Sequence, residues 1–155
     1  MRPLSQWLDE YGESHQNPAN KTIHWICVPL IMLGIIGLLW EIPVPATLSG
    51  VSPYLNWAVI LLIPAIIYWF AQSVTLGIGI AIVWLGIFLV TNWLDSLAPP
   101  LWLTSIAIFV GAWIGQFIGH VIEGKRPSFF KDMQFLLIGP LWLLAALYRR
   151  LGIPY

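Results

Sequence analysis

The sequence predicts an all-α polytopic membrane bundle, and three observations predict it. Hydrophobic residues make up 59% of the chain and charged residues 9%, with mean hydropathy +0.81, far from the composition of a soluble domain. The charges leave three uninterrupted gaps, Lys21 to Glu41, Glu41 to Asp95 and Asp95 to Glu123. Those gaps hold four stretches near the roughly 20 apolar residues that a bilayer-spanning helix requires. At 155 residues the chain reads as a single integral membrane domain, residues 1–155.

The first element is PLSQWLDEYGES, residues 3–14, a short amphipathic helix. Leu4, Trp7, Leu8 and Tyr11 recur on one face, away from Asp9, Glu10 and Glu13, as in a helix lying at the lipid headgroups. It also stands where it would lid anything beside it. No apolar h-region of a signal peptide precedes it. The turn signal Asn17-Pro18 follows, with Asn20 or Thr22 as a cap for the next helix. The first span is expected from about Ile23 to Trp40, bent at Pro29.

EIPVPATLSGVSP reads as a loop. The second span covers about Tyr54 to Phe70 and the third about Val74 to Leu94, and the tight link Ala71-Gln72-Ser73 makes them a helical hairpin. SLAPP turns into the fourth span, about Leu101 to Ile122, and the basic loop EGKRPSFFKD comes next. Lys125, Arg126 and Lys131 place that loop in the cytoplasm by the positive-inside tendency. Counting back through four spans puts the N-terminus there too.

The last apolar segment, Met133 to Tyr148, carries Gly139-Pro140 near its middle. A crossing would put Arg149 and Arg150 outside, so a broken, re-entrant or interfacial segment is expected, with five spans as the alternative. Trp25, Trp40, Trp57, Trp69, Trp93 and Trp102 sit near proposed span ends, as an interfacial aromatic belt does. Gly77, Gly79 and Gly86 read as packing positions.

Several function classes fall away. A single Cys27 permits no internal disulfide and no thiolate metal cage. A net charge of zero leaves no basic stripe for nucleic acid. No phosphate-binding glycine fingerprint is present, and Ser14 beside His15 lacks the acid that would orient a hydrolase base. A transporter or channel subunit would carry ionisable groups near mid-span or repeat symmetry, and neither is visible.

What remains is a polar constellation at one membrane face. His24 lies about a turn inside the first span. Gln116, His120 and Glu123 share one side of the fourth, because spacings of three and four stack on a helix. His15 sits in the preceding loop, and Asn20, one turn before His24, is placed to orient its ring. Three imidazoles, with or without Glu123, would hold a divalent ion and leave positions open. Nitrogen and carboxylate donors suit Fe(II), Zn or Mn, and spacing does not choose among them. The structural alternative is that these groups merely hydrogen-bond and anchor helix ends at the interface.

Two strings add a resemblance. YGESHQNPANKTIHWICVPL, residues 11–30, and WIGQFIGHVIEGKRPS, residues 113–128, resemble the signatures of the 2-hydroxy fatty acid dioxygenase family, and the first is similar to its bacterial branch. Characterised eukaryotic relatives are iron-dependent enzymes of the endoplasmic reticulum that shorten 2-hydroxy fatty acids by one carbon in phytosphingosine breakdown. The resemblance implies Fe(2+) at His15, His24 and His120, which would be the catalytic ligands, and accompanying polar positions at Asn20, Gln116 and Glu123. It implies a 2-hydroxy fatty acid and O₂ as substrates, a bacterial inner-membrane location and a cytoplasm-facing site.

Lys125 or Arg126 would guide the substrate carboxylate toward that site. Where some relatives carry a carboxylate a turn or two after the proline matching Pro140, this chain has LWLLAALY. The rival reading from another class is a non-catalytic lipid-binding or membrane-scaffold protein with the same fold. Chain-length preference, physiological substrate and oligomeric state are not written in the sequence.

Overall fold

The computed structural model describes residues 3–52, 54–124 and 135–155. Among these residues there are seven helices and no strand: α1 (Leu4–Gly12), α2 (Pro18–Trp40), α3 (Ala46–Ser49), α4 (Trp57–Gln72), α5 (Val74–Asp95), α6 (Leu101–Glu123) and α7 (Ile138–Leu151). Three of them, α2, α5 and α6, are long and apolar enough to cross a membrane. The α4 helix is apolar but has 16 residues. It reaches about 24 Å at a helical rise of 1.5 Å per residue, short of a hydrocarbon core of roughly 30 Å.

The α2 helix begins earlier than its hydropathy suggests. Asn17 is the N-cap, its side chain accepting from the N–H of Ala19, and Pro18 is the first helical residue. Proline suits that position because its missing N–H would have no intrahelical partner there. Asn20 and Thr22 therefore lie inside the helix and do not cap it. Pro29 is accommodated within the continuous helix.

Helices α2 and α6 pack antiparallel through small residues. A side chain at Gly119 would run into Asn20, one at Gly115 into the Cys27 thiol, one at Gly34 into Phe109 and one at Gly37 into Ser105. Close backbone approach is how helices pair in lipid, where apolar burial supplies little drive. In this register the start of α2 meets the end of α6.

The α4–α5 hairpin turns at Ser73, whose side chain accepts from the N–H of Leu76. Gly77 lies against the Phe70 ring, and Gly79 against Tyr148 and Leu144. Gly86 has nothing within 4 Å of the Cβ it lacks, so it is not a packing position. Trp69 also departs from the expected belt. It is 1% exposed and donates its indole N–H to the carbonyl of Leu137 at 2.9 Å.

The last helix starts inside the expected Met133–Tyr148 segment, at Ile138 after the turn residues 135–137. Gly139 and Pro140 fall in the first turn of α7, where proline costs no hydrogen bond, and the helix runs unbroken to Leu151. Its 14 residues reach about 21 Å, too short to cross. Its first half is buried in protein: Ile138 through Ala145 are covered. The apolar face of α1 is turned onto this part of the fold. Trp7 and Tyr11 meet the Phe135 ring at 6.1 and 5.5 Å, and Tyr11 meets Trp142 at 5.4 Å.

Candidate metal centre

Helical periodicity and the α2–α6 register bring the three histidines together. His24 sits on the second turn of α2, and His120 lies on the last turn of α6. His15 follows α1 in the short link into α2. They come from the two ends of the chain, yet their rings lie side by side. Centroids are 4.2 Å apart for His15 and His24, 5.5 Å for His15 and His120, and 5.3 Å for His24 and His120. Exposure is 2%, 1% and 4% respectively.

Hydrogen bonds fix two of the rings. His15 Nδ1 donates to the carbonyl of Tyr11 at 2.6 Å, and His24 Nδ1 donates to the carbonyl of Asn20 at 3.0 Å. A carbonyl oxygen only accepts, so both Nδ1 atoms carry protons and each neutral ring presents its lone pair at Nε2. Those two Nε2 atoms lie 2.8 Å apart. Two lone pairs at that separation repel unless a cation, a proton or a metal ion, stands at them.

His120 completes the group, and one ring nitrogen from each of the three lies within 4.8 Å of the others. Buried imidazoles held through Nδ1 by backbone carbonyls are the donor arrangement of metal sites. The residues present fit a divalent transition metal.

The accompanying polar residues divide into separate tasks. Asn20 orients His24, as expected, but through its backbone carbonyl. Its side-chain amide donates to Glu123 at 2.9 Å and to the carbonyl of Ser14 at 3.2 Å. Glu123 stands outside the three-histidine group. Its carboxylate accepts the backbone N–H of Gln16 at 2.7 Å and that of Asn17 at 2.9 Å, besides the Asn20 amide. A carboxylate at the N-terminus of α2 meets exposed N–H groups and the positive end of the helix dipole. It ties the end of α6 to the segment that carries His15.

Gln116 is 5% exposed, one turn before His120. With Tyr11, His24, Val28 and Trp113 it lines a cavity of about 30 Å³ beside the histidines. That is room for an object the size of a water molecule or O₂.

Sequence reasoning missed the covering residues. Tyr11 stacks on His15 with centroids 4.2 Å apart and planes 9° from parallel, and Trp142 lies 5.3 Å from the same ring. A signal was available: Tyr11, Asn20 and Gln116 each precede a histidine by four residues, the spacing that places one residue over another on a helix. Lys125 and Arg126 lie outside the described residues. The cations described near the site are Lys21, Arg149 and Arg150. They line a groove of about 670 Å³ in which Trp142 is also a wall.

Similarity to known proteins agrees with this arrangement. The sequence matches the family described as 2-hydroxy-palmitic acid dioxygenase Mpo1-like over residues 1–151. It is 27% identical over 152 residues to the 2-hydroxy-palmitic acid dioxygenase MPO1 of Saccharomyces cerevisiae, an alignment covering 96% of this chain and 82% of the yeast protein. No solved structure matches it. The family match runs unbroken through the segments carrying His15, His24 and His120, and the chain belongs to the Mpo1-like family.

Proposed function

We propose that this protein is an Fe(II)-dependent dioxygenase that shortens 2-hydroxy fatty acids by one carbon at the cytoplasmic face of a bacterial inner membrane. The reaction balances as 2-hydroxy acid plus O₂ giving the acid one carbon shorter, CO₂ and water. One observation carries the reading: three buried imidazoles from three chain segments converge, and the Nε2 atoms of two of them lie 2.8 Å apart. The family and the name of the yeast relative supply the substrate class.

His15, His24 and His120 would hold the ion. When bound, iron supplies Lewis acidity toward the substrate's carboxylate and hydroxyl and the redox capacity to use O₂. The chain's own residues do the rest. The carbonyls of Tyr11 and Asn20 keep the Nδ1 protons of His15 and His24 in place, so neither ring turns its N–H toward the ion. Gln116, on the wall of the small cavity, offers a neutral amide that donates to a carboxylate or accepts from a hydroxyl. Tyr11, Trp113 and Phe135 form apolar walls there and exclude bulk water.

The deciding experiment is metal analysis of anaerobically purified protein, followed by O₂ uptake with 2-hydroxypalmitate. Stoichiometric iron, consumption of O₂ and release of the acid one carbon shorter are expected. Protein free of iron, with no O₂ uptake after iron addition, would instead favour a lipid-binding scaffold.

A further inference from the structure

A second cavity lies beside the histidine cavity. It has a volume of about 200 Å³ and lies between α2 and α4. Leu136 and Pro140 border both spaces, so the two are neighbours. Met32, Ile36 and Leu39 line it from α2, and Leu62, Ala65 and Trp69 from α4. Every lining side chain is apolar apart from the indole nitrogens of Trp69 and Trp84, and that of Trp69 is already donated to Leu137.

The direction of the cleft follows from the helices that make it. Met32, Ile36 and Leu39 step away from His24 along α2. The antiparallel α4 returns in the opposite sense, with Trp69 at the histidine end and Ala58 at the far end. From His24 to Leu39 is 15 residues (39 − 24), about 22 Å of helix, more than half of a hydrocarbon core roughly 30 Å thick. One long side is open toward lipid, where Leu61 is 52% exposed. A shape with a polar, metal-binding head and a long apolar body running along the membrane normal matches one kind of ligand, a single-chain carboxylic acid drawn from the bilayer.

Resting on the dioxygenase reading above, we propose that the acyl tail of the substrate lies in the α2–α4 cleft, and that Ala65 and Leu39 set the chain lengths accepted. The head group is directed at the small cavity bordered by His24 and Gln116, and the tail leads past Leu136 and Pro140 to lie between Met32 and Leu62. Ala65 is the smallest partly exposed wall residue midway along. Leu39 borders the far end. Entry is sideways from the leaflet, so the tail need not cross water.

Two measurements on the iron-loaded full chain in lipid nanodiscs test this. In the first, 2-hydroxypalmitate carrying a photoactivatable diazirine in mid-chain is crosslinked to wild-type protein and the adducts are mapped. Adducts concentrated on α4 and the facing side of α2 are expected. Adducts on Val83 and Leu147, which line the neighbouring cleft among α2, α5 and α7 that also borders Val28 and Pro140, or labelling spread over all helices or absent, overturn the proposal.

The second measurement compares binding and turnover of 2-hydroxypalmitate and 2-hydroxyoctanoate. Ala65→Trp should weaken binding of the long acid about tenfold or more while leaving the short acid within about twofold, as expected when apolar contact is lost from the tail alone. Leu39→Ala should move preference toward longer acids, and it stands if the tryptophan variant does not fold. Val83→Trp should change neither. Equal losses for both acids in Ala65→Trp, with no shift in Leu39→Ala, overturn the assignment. Failure of the dioxygenase reading appears differently, as no O₂ uptake with either acid, while the crosslink map still reports where the tail binds.

Discussion

Glu123 of α6 accepts the backbone N–H of Asn17, 106 residues earlier in the chain, at 2.9 Å. This bond, with those to Gln16 and Asn20, closes the ring of segments around the histidines. The carboxylate therefore acts on His15 through the backbone that carries it, as a positioning residue. Glu123→Ala is expected to lower metal affinity on the order of 10- to 100-fold, the range seen when groups that orient ligands are removed. Glu123→Gln, keeping one acceptor oxygen, should lose less. Titration of the apo-protein with Fe(II) measures both, and unchanged affinity in both variants would remove Glu123 from the site.

Loss of a ligand should be more severe. His24→Ala and His120→Ala are each expected to abolish stoichiometric iron while the protein still inserts and purifies from membranes. Elemental analysis beside a membrane-fractionation assay checks this. Full iron occupancy in both variants would reject the ligand assignment.

The helix spacing at the site rests on a missing side chain. Gly119→Leu would force Asn20 away from α6, and overpacking of this kind costs typically about 1–3 kcal/mol. We expect a lower thermal midpoint and, because His24 moves with Asn20, weakened iron binding. Gly86→Leu, at a position with no neighbour in reach, should do neither.

Tyr11 meets His15 through its stacked ring and its backbone carbonyl. Tyr11→Phe should keep iron within about threefold of wild type, whereas Tyr11→Ala should weaken it on the order of tenfold as His15 loses its stacked cover. Equal effects of the two substitutions would show that the stack is not what holds His15.

The basic groove gives a kinetic prediction. Substituting both Arg149 and Arg150 by Gln should raise KM for 2-hydroxypalmitate severalfold and leave kcat within about twofold, as steering of an anion predicts. A fall in kcat at constant KM would contradict it.

The apolar spans and the three histidines are legible in the sequence because each depends on local pattern. Charge-free runs announce the long helices, and four-residue spacing puts Gln116 with His120. The start of α2 is not legible, because hydropathy begins at Ile23, whereas the helix is nucleated by Asn17 and Pro18, which are polar or neutral to hydropathy. The division of work between Asn20 and Glu123 is hidden as well. Both offer oxygens near the imidazoles, and only the register of α2 against α6 decides that one lends its carbonyl and the other grips backbone amides. The cover of Tyr11 and Trp142 depends on α1 folding against α7, a pairing of segments with 125 residues between Gly12 and Ile138 (138 − 12 − 1) that no local pattern records.

The antiparallel register of α2 on α6 also dictates when the centre comes into being. A nascent polypeptide that has delivered only its first hairpins into the bilayer owns two imidazoles and no third. The three-histidine set exists only after His120 has emerged and its helix has docked, so on the dioxygenase reading proposed above metal acquisition would be a late event of biogenesis, and unassembled protein would offer the ion no complete home.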